Sequence, residues 1–362
     1  MAGVTREARA ARDRLADRVA VGALTATFPP ELVGEVVRDT GRRELRERDL
    51  PARSMVYFSL GTWLWPSLDH REVLRRTLDG LTWVGLRSGE TRIPGSGSLA
   101  KARARLGPEP LEAMFDRVAG TPSSPGADGD SWRGLRPTVV EGLEMRVTST
   151  PSNRSVFPSH GQGPRVRLLT HVTPGDRNLI DAAFDPPDSA GRRHPVPRPR
   201  NRSSRRELFL LDPTVCDHSL WRRAEIDGFH LLQRSAGAAP SSPLERLGDG
   251  TLICEIPSHG GRDAATRVRI IEDTPSSTPG GSEAVPEPLR LATTLLSPER
   301  WPREEVVELY RRLWKGGTVK RTVCDGADVT LRSQTPEGVR QEAWALLCVH
   351  QALVRLRPPH MA

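Results

Sequence analysis

Apolar residues recur at helical spacing through the first third of the chain. Arg6 to Val21, Pro30 to Arg43, Ala52 to Trp65, Arg71 to Leu78 and Ser98 to Leu106 each place apolar positions three and four residues apart. Pro29-Pro30 opens the second of these stretches and Gly107-Pro108 follows the last. The pattern predicts an all-helical domain over residues 1–121. Met55 to Leu68 (MVYFSLGTWLWPSL) is the most apolar run, but its 14 residues include Pro66 and are too few to cross a bilayer, so it reads as a buried helix.

From Pro122 to Asp130 the composition turns to Ser, Pro, Gly and Asp (PSSPGADGD), which marks a linker over 122–136. The period then falls to two. Strands are predicted at 137–147, 165–172 and 178–185, with turn signals at Gly161-Gln162-Gly163-Pro164 and Pro174-Gly175-Asp176, and successive strands at this spacing read as an antiparallel meander. Pro195, Pro197 and Pro199 exclude an α-helix in the arginine-rich stretch 186–206, which reads as an extended basic loop. A strand at 207–212, a helix near 217–226 with Asp217 as its cap, and a strand at 229–233 follow. Residues 234–288 mix short β patterns (250–256 and 267–271) with Ser, Pro and Gly runs and read as a β-rich insertion. A strand at 289–296 and helices at 302–313 and 336–356 close the chain, so 137–233 and 289–362 form two parts of one sheet-based core.

The chain carries a formal charge of +8 and a pI near 10.1, which favours a polyanionic partner because cations on a phosphate backbone release counterions. Among its 53 basic residues only Lys101, Lys315 and Lys320 are lysines, a bias that a genome rich in G and C also produces. Cys216, Cys254, Cys324 and Cys348 have no metal-ligand or disulfide spacing and read as structural thiols. The first 20 residues form a charged helix pattern rather than a secretory signal. A cytoplasmic protein without a membrane partner is the expectation.

Two acids stand out. Glu141 lies at the middle of the first predicted strand and Asp212 ends the apolar run Leu208 to Leu211, and an acid in either place can reach a metal. Around them the chain resembles the insertion-sequence-four family of DDE transposases. The resemblance covers nearly the whole chain. Ala23 to Gly41, Leu50-Pro51-Ala52-Arg53 and Lys101 to Leu111 are similar to that family's helical N-terminal domain. Gly142 with Thr150-Pro151-Ser152-Asn153 resembles the stretch around its first aspartate, and Asp212 with Leu220-Trp221-Arg222-Arg223 resembles the second. Tyr310 with Trp314, then Leu331 to Glu342 (LRSQTPEGVRQE), resembles the C-terminal signature.

The resemblance implies an α/β fold: an RNase H-like mixed sheet with flanking helices, interrupted by a β-rich insertion and preceded by the helical domain. It implies DNA transposition with Mg²⁺ as cofactor, the terminal inverted repeats of the element as partner, and a homodimer. Two metal ions about 4 Å apart need acidic oxygens to bridge and neutralise them. Glu141 stands where the family has aspartate, and Pro213-Thr214-Val215 replaces its Arg-Gly-Phe after Asp212. Counting from Tyr310 and Trp314, the family's arginine falls on Leu313, its catalytic glutamate on Gly317 and its lysine near Cys324, and no acid lies between Trp314 and Asp325. The loop 186–206 stands where the family has a helix.

The metal site implied is therefore Glu141 with Asp212 alone, and cleavage and strand transfer are expected to be absent or severely impaired. An alternative of a different class is a non-catalytic DNA-binding protein. In it Arg103, Arg105, Arg222, Arg223, Arg332 and Tyr310 contact terminal repeats. A third is a remnant that hardly folds. Other chemistries have little support. His160, His171, His218 and His259 lack ligand spacing, Gly95-Ser96-Gly97-Ser98 lacks the Gly-Lys-Ser/Thr of a phosphate loop, and Cys216, His218 and Ser219 are sequence neighbours only.

Overall fold

The computed structural model describes residues 2–46, 48–88, 93–120, 131–157, 163–185, 206–215, 218–235, 243–256, 265–273, 289–314 and 316–356. Most of the predicted linker 122–136, the proline-alternating loop, Asp217 and parts of the insertion lie outside them. Two compact units divide the chain: Met1–Thr121 with Glu144–Val166 and Val319–Met361, and Pro122–Leu143 with Arg167–Thr318.

The first unit is mainly helical. It contains α1 (Ala2–Thr27), α2 (Pro30–Asp39), α3 (Ala52–Leu64), α4 (His70–Trp83), α5 (Ser96–Leu106) and α6 (Glu109–Val118). The predicted buried stretch is α3, which is covered from Ser54 through Thr62 and ends two residues before Pro66. Its polar side chains bond to backbone: Ser59 Oγ donates to Met55 O at 2.9 Å, and Tyr57 Oη to Phe28 O at 2.6 Å. No described helix is long and apolar enough to cross a membrane. Asp69 caps α4 by accepting from the backbone of Arg71 and Glu72, and a Cβ on Gly80 would stand 2.6 Å from Val21, so the glycine sets how closely α1 and α4 approach. The sequence reading stopped at Gly107-Pro108 and missed α6. Proline at 108 and 110 fits a first helical turn, whose N–H groups have no intrahelical partner.

Later segments return to this unit. The short α7 (Pro151–Val156) is capped by Thr150, and the long α11 (Pro336–Leu356) is buried over most of its length against α3 and α6. The segments that carry the family resemblance meet in one polar network. Arg103 Nη2 donates to Ser333 Oγ at 2.8 Å and to Glu342 Oε1 at 3.2 Å, and Ser333 Oγ donates to the same carboxylate at 2.6 Å. Glu342 Oε2 accepts from the backbone of Arg332 at 2.8 Å, Gln341 Nε2 donates to Gly107 O at 2.8 Å, and Asn153 Nδ2 bonds Ser333 O at 2.9 Å. Lys101 and Arg105 are one turn apart on α5, whereas Arg103 points to another side and turns inward.

The second unit is built on a sheet. Its strands are β1 (Arg136–Val147), β2 (Arg165–Val172), β3 (Leu179–Asp185), β4 (Glu207–Leu211), β5 (His230–Arg234), β6 (Pro243–Arg246), β7 (Leu252–Ile256), β8 (Thr266–Asp273) and β9 (Leu289–Thr293). The ends of β1 and β2, Glu144–Val147 and Arg165–Val166, belong to the first unit, where Arg146 and Val147 pair with β10 (Thr330–Leu331). The order is β3-β2-β1-β4-β5-β9-β8-β7-β6. β1, β4 and β5 run parallel, while β2–β3 and the pairs from β5 to β6 through β9, β8 and β7 are antiparallel. Leu208 to Leu211 are all buried, as a central parallel strand covered on both faces requires. α8 (His218–Asp227) covers one face through Leu220, Trp221 and Ala224, which join Phe209, Phe229, Leu231 and Ile270 in a core. The sequence reading missed β6, whose four residues are all exposed and do not alternate.

Arg269 on β8 is fully buried, and its charge is matched by Asp249, by Thr251 Oγ1 at 2.9 Å and by Trp301 O at 2.7 Å. His171 is buried against Phe209, in keeping with a packing histidine.

The polar network of the helical unit sets a measurable expectation. Glu342→Ala leaves the Arg103 guanidinium, 15% exposed, without its carboxylate and should cost about 3 kcal/mol in urea unfolding. Arg103→Ala in that background should add well under its cost in the otherwise intact protein; fully additive losses would contradict the coupling.

Candidate active site

The register of two central strands brings the two acidic residues to neighbouring backbone positions. Val140 of β1 pairs with Leu211 of β4, and the Asp212 N–H donates to Val140 O at 2.9 Å. One step further in that register Glu141 and Asp212 stand at neighbouring backbone positions, on strands about 4.8 Å apart. Asp212 stands at the carboxyl end of its strand, the end where open α/β sheets place their ligands.

Both oxygens of Glu141 bond to one residue. The backbone N–H of Thr318 donates to Oε2 at 2.7 Å and its hydroxyl donates to Oε1 at 2.9 Å. Glu141 is 3% exposed, so these bonds are made where water does little to offset the charge. Thr318 begins α10 (Thr318–Cys324). Gly316 and Gly317 deliver it with φ of 56° and 62°, consecutive left-handed positions that favour glycine.

Asp212 is half-buried, and its Oδ1 accepts from Thr214 N at 2.8 Å and Thr214 Oγ1 at 2.6 Å, an Asx turn that closes over Pro213. The Thr214 hydroxyl in turn accepts from Arg167 Nη2. Arg167 reaches it across Gly142, where a Cβ would stand 2.8 Å from the guanidinium. A cation of the protein itself therefore lies one hydroxyl away from Asp212.

Tyr310 comes from α9 (Arg303–Leu313) and stacks on Trp314, with ring centroids 5.8 Å apart. Its hydroxyl is buried and has no hydrogen-bond partner among the described residues. Burial pushes its pKa up to about 12; Arg234 pulls it down and Asp212 adds to the rise.

The other expected contact residues lie elsewhere. Arg222 and Arg223 are on α8 and pair with Glu225 at 2.7 Å and Asp227 at 3.0 Å. Arg103, Arg105 and Arg332 belong to the helical unit. Arg103 is held in the polar network, Arg105 donates to Leu50 O at 2.8 Å, and Arg332 Nη1 donates to Leu68 O at 3.0 Å. Among the described residues no group of three or more His, Cys, Asp or Glu lies where it could hold a metal. The sequence reading missed Thr318, Thr214 and Arg167. The Gly-Gly pair before Thr318 was the available signal for a sharp turn, and nothing local pointed to Arg167.

Residues 18–116 match a family model described as the insertion element 4 transposase N-terminal domain. The chain is 24% identical over 357 residues to transposase InsG for insertion sequence element IS4 of Escherichia coli (strain K12), an alignment covering 92% of this chain and 75% of that protein. A cryo-EM structure of the piggyBac transposase synaptic complex with hairpin DNA aligns with 92% of this chain and 73% of its own, at 9% identity and a TM-score of 0.48. Residues 18–116 thus match the N-terminal domain of the insertion element 4 transposases, and over 92% of its length the chain is similar to a transposase of an insertion sequence of that kind.

Proposed function

We propose that this is a cytoplasmic, DNA-directed member of the insertion-sequence-four transposase family whose strand-cleavage and strand-transfer chemistry is absent or severely impaired. The observation that carries the proposal is the state of Glu141, whose two oxygens are engaged by Thr318 in the segment that follows Gly317. In a two-metal site those oxygens would face the ions. Here Thr318 takes both, the Asx turn takes Oδ1 of Asp212, and the third position is a glycine. The residues present do not fit a pair of Mg²⁺ ions. In this reading Glu141 is a strut between the central strand and the turn at 316–318.

The strand order β3-β2-β1-β4-β5, with the last three parallel, supports an RNase H-like core, and β6 to β8 correspond to the insertion between β5 and β9. The second reading is a non-catalytic protein that recognises terminal inverted repeats, as a homodimer in the simplest case. It is favoured by the intact Arg103–Ser333–Glu342 network of the helical unit.

Supercoiled DNA carrying the element's terminal repeats, incubated with Mg²⁺ or Mn²⁺, tests the proposal when gel-shift binding is read in parallel. Binding without nicking is expected. Gly317→Glu alone should not restore nicking, because a side chain at φ 62° costs roughly 1 kcal/mol and Glu141 remains committed to Thr318. Metal-dependent nicking that is lost in Asp212→Ala would refute the proposal, and absence of binding as well would leave a remnant without function.

The strut has its own test. Glu141→Ala strands two buried donors of Thr318 and should lower unfolding free energy by about 2–3 kcal/mol. A metal-ligand carboxylate held beside Asp212 predicts the opposite sign in metal-free buffer, since its removal relieves like-charge repulsion.

A further inference from the structure

The segment joining α2 to α3 alternates between residues that anchor it and residues that project. Gly41, with φ of 70°, ends α2, and the Arg42 N–H returns to Val37 O at 2.9 Å. Arg42 then pairs with Glu109 at 2.9 Å and donates to Arg105 O at 3.2 Å. Glu44 accepts from the Ala52 N–H at 2.7 Å, capping α3, and lies 3.6 Å from Arg105. Between and after these anchors Arg43, Leu45, Arg46 and Arg48 are exposed, and the three arginines have no ion-pair partner among the described residues. Lys101 is exposed on the same face of α5 as Arg105, one turn earlier.

Leu45 is 102% exposed, as open as an isolated side chain. One exposed leucine needs no explanation by itself. Here it projects from a pinned loop beside Arg46 and two residues after Arg43, with the intervening Glu44 turned inward to the Ala52 N–H. Groove-binding proteins use that combination, with arginines on phosphates and an apolar side chain against the groove. Arg43 and Arg48 are five positions apart, a span of at most about 17 Å, comparable to several successive phosphates at about 3.4 Å of rise per strand.

We infer that Arg43, Leu45, Arg46 and Arg48 form a DNA-backbone contact surface, with the three arginines on phosphates and Leu45 against the groove. The inference rests on the DNA-directed reading and moves its main contact from Arg103, which is turned inward, to this loop. The surface takes duplex DNA without reading its sequence, and sequence preference comes from other residues.

Fluorescence anisotropy of the full chain with a terminal-repeat duplex and a scrambled duplex, from about 50 to about 200 mM salt, tests it. The triple variant Arg43→Gln, Arg46→Gln, Arg48→Gln should lose at least tenfold in affinity for both duplexes. Its log–log salt dependence should become shallower by about 2 to 3. Leu45→Ser should weaken binding several-fold with the slope unchanged. These side chains make no internal bonds among the described residues, so the urea midpoint should stay in place. A triple variant with unchanged affinity and slope, in a protein that binds DNA, would overturn the inference and leave the DNA-directed reading standing. No binding by the unaltered protein would overturn both. Tighter binding to phosphatidylserine vesicles than to duplex, lost in the triple variant, would overturn it in favour of a membrane surface.

Discussion

A buried carboxylate is tolerated only when its charge is matched, because desolvation of an unpaired anion costs several kcal/mol. Glu141 meets that demand with two hydrogen bonds from one residue, Thr318. The constraint reaches outward from there. β1 and β4 set Glu141 beside Asp212, Gly316 and Gly317 adopt left-handed backbone so that Thr318 can arrive, and α10 begins where its first N–H is already satisfied. The neighbouring acid is matched in the same manner, through Thr214 and, one bond further, Arg167. Charges that would otherwise call for cations are balanced by the chain's own donors.

The helical unit solves a similar problem with different residues. Arg103 and Glu342 are nearly buried, and Ser333, Gln341 and Asn153 supply the remaining bonds, so α5, α7, the turn before α11 and the start of α11 meet in one network. Three of the sequence segments that carried the family resemblance supply this network. Their recurrence is therefore explained by packing within the unit as readily as by contact with DNA. In the α2–α3 loop Arg43, Leu45, Arg46 and Arg48 face outward, whereas Arg42 and Glu44 tie the loop to α3, α5 and α6.

Much of this was legible in the sequence. β2 and α11 have the bounds that periodicity gave them, because a run of alternating or helical apolar positions reports burial directly. Glu141 and Asp212 were visible as acids at strand positions. What could not be read was their partners: Thr318 is 177 residues from Glu141 and Arg167 is 47 from Thr214, and no local pattern encodes either contact. α10 and β10 were missed because seven and two residues carry too little periodicity.

The account stands or falls on whether the acidic pair holds a divalent ion. Electron paramagnetic resonance of free Mn²⁺, titrated with the purified protein and with its Asp212→Ala variant, measures this without any DNA or turnover. The strut reading predicts the same free-ion signal for both proteins through the millimolar range. Tight uptake of one or two Mn²⁺ per chain that disappears with Asp212 would contradict it and would show that a working centre is assembled around these carboxylates.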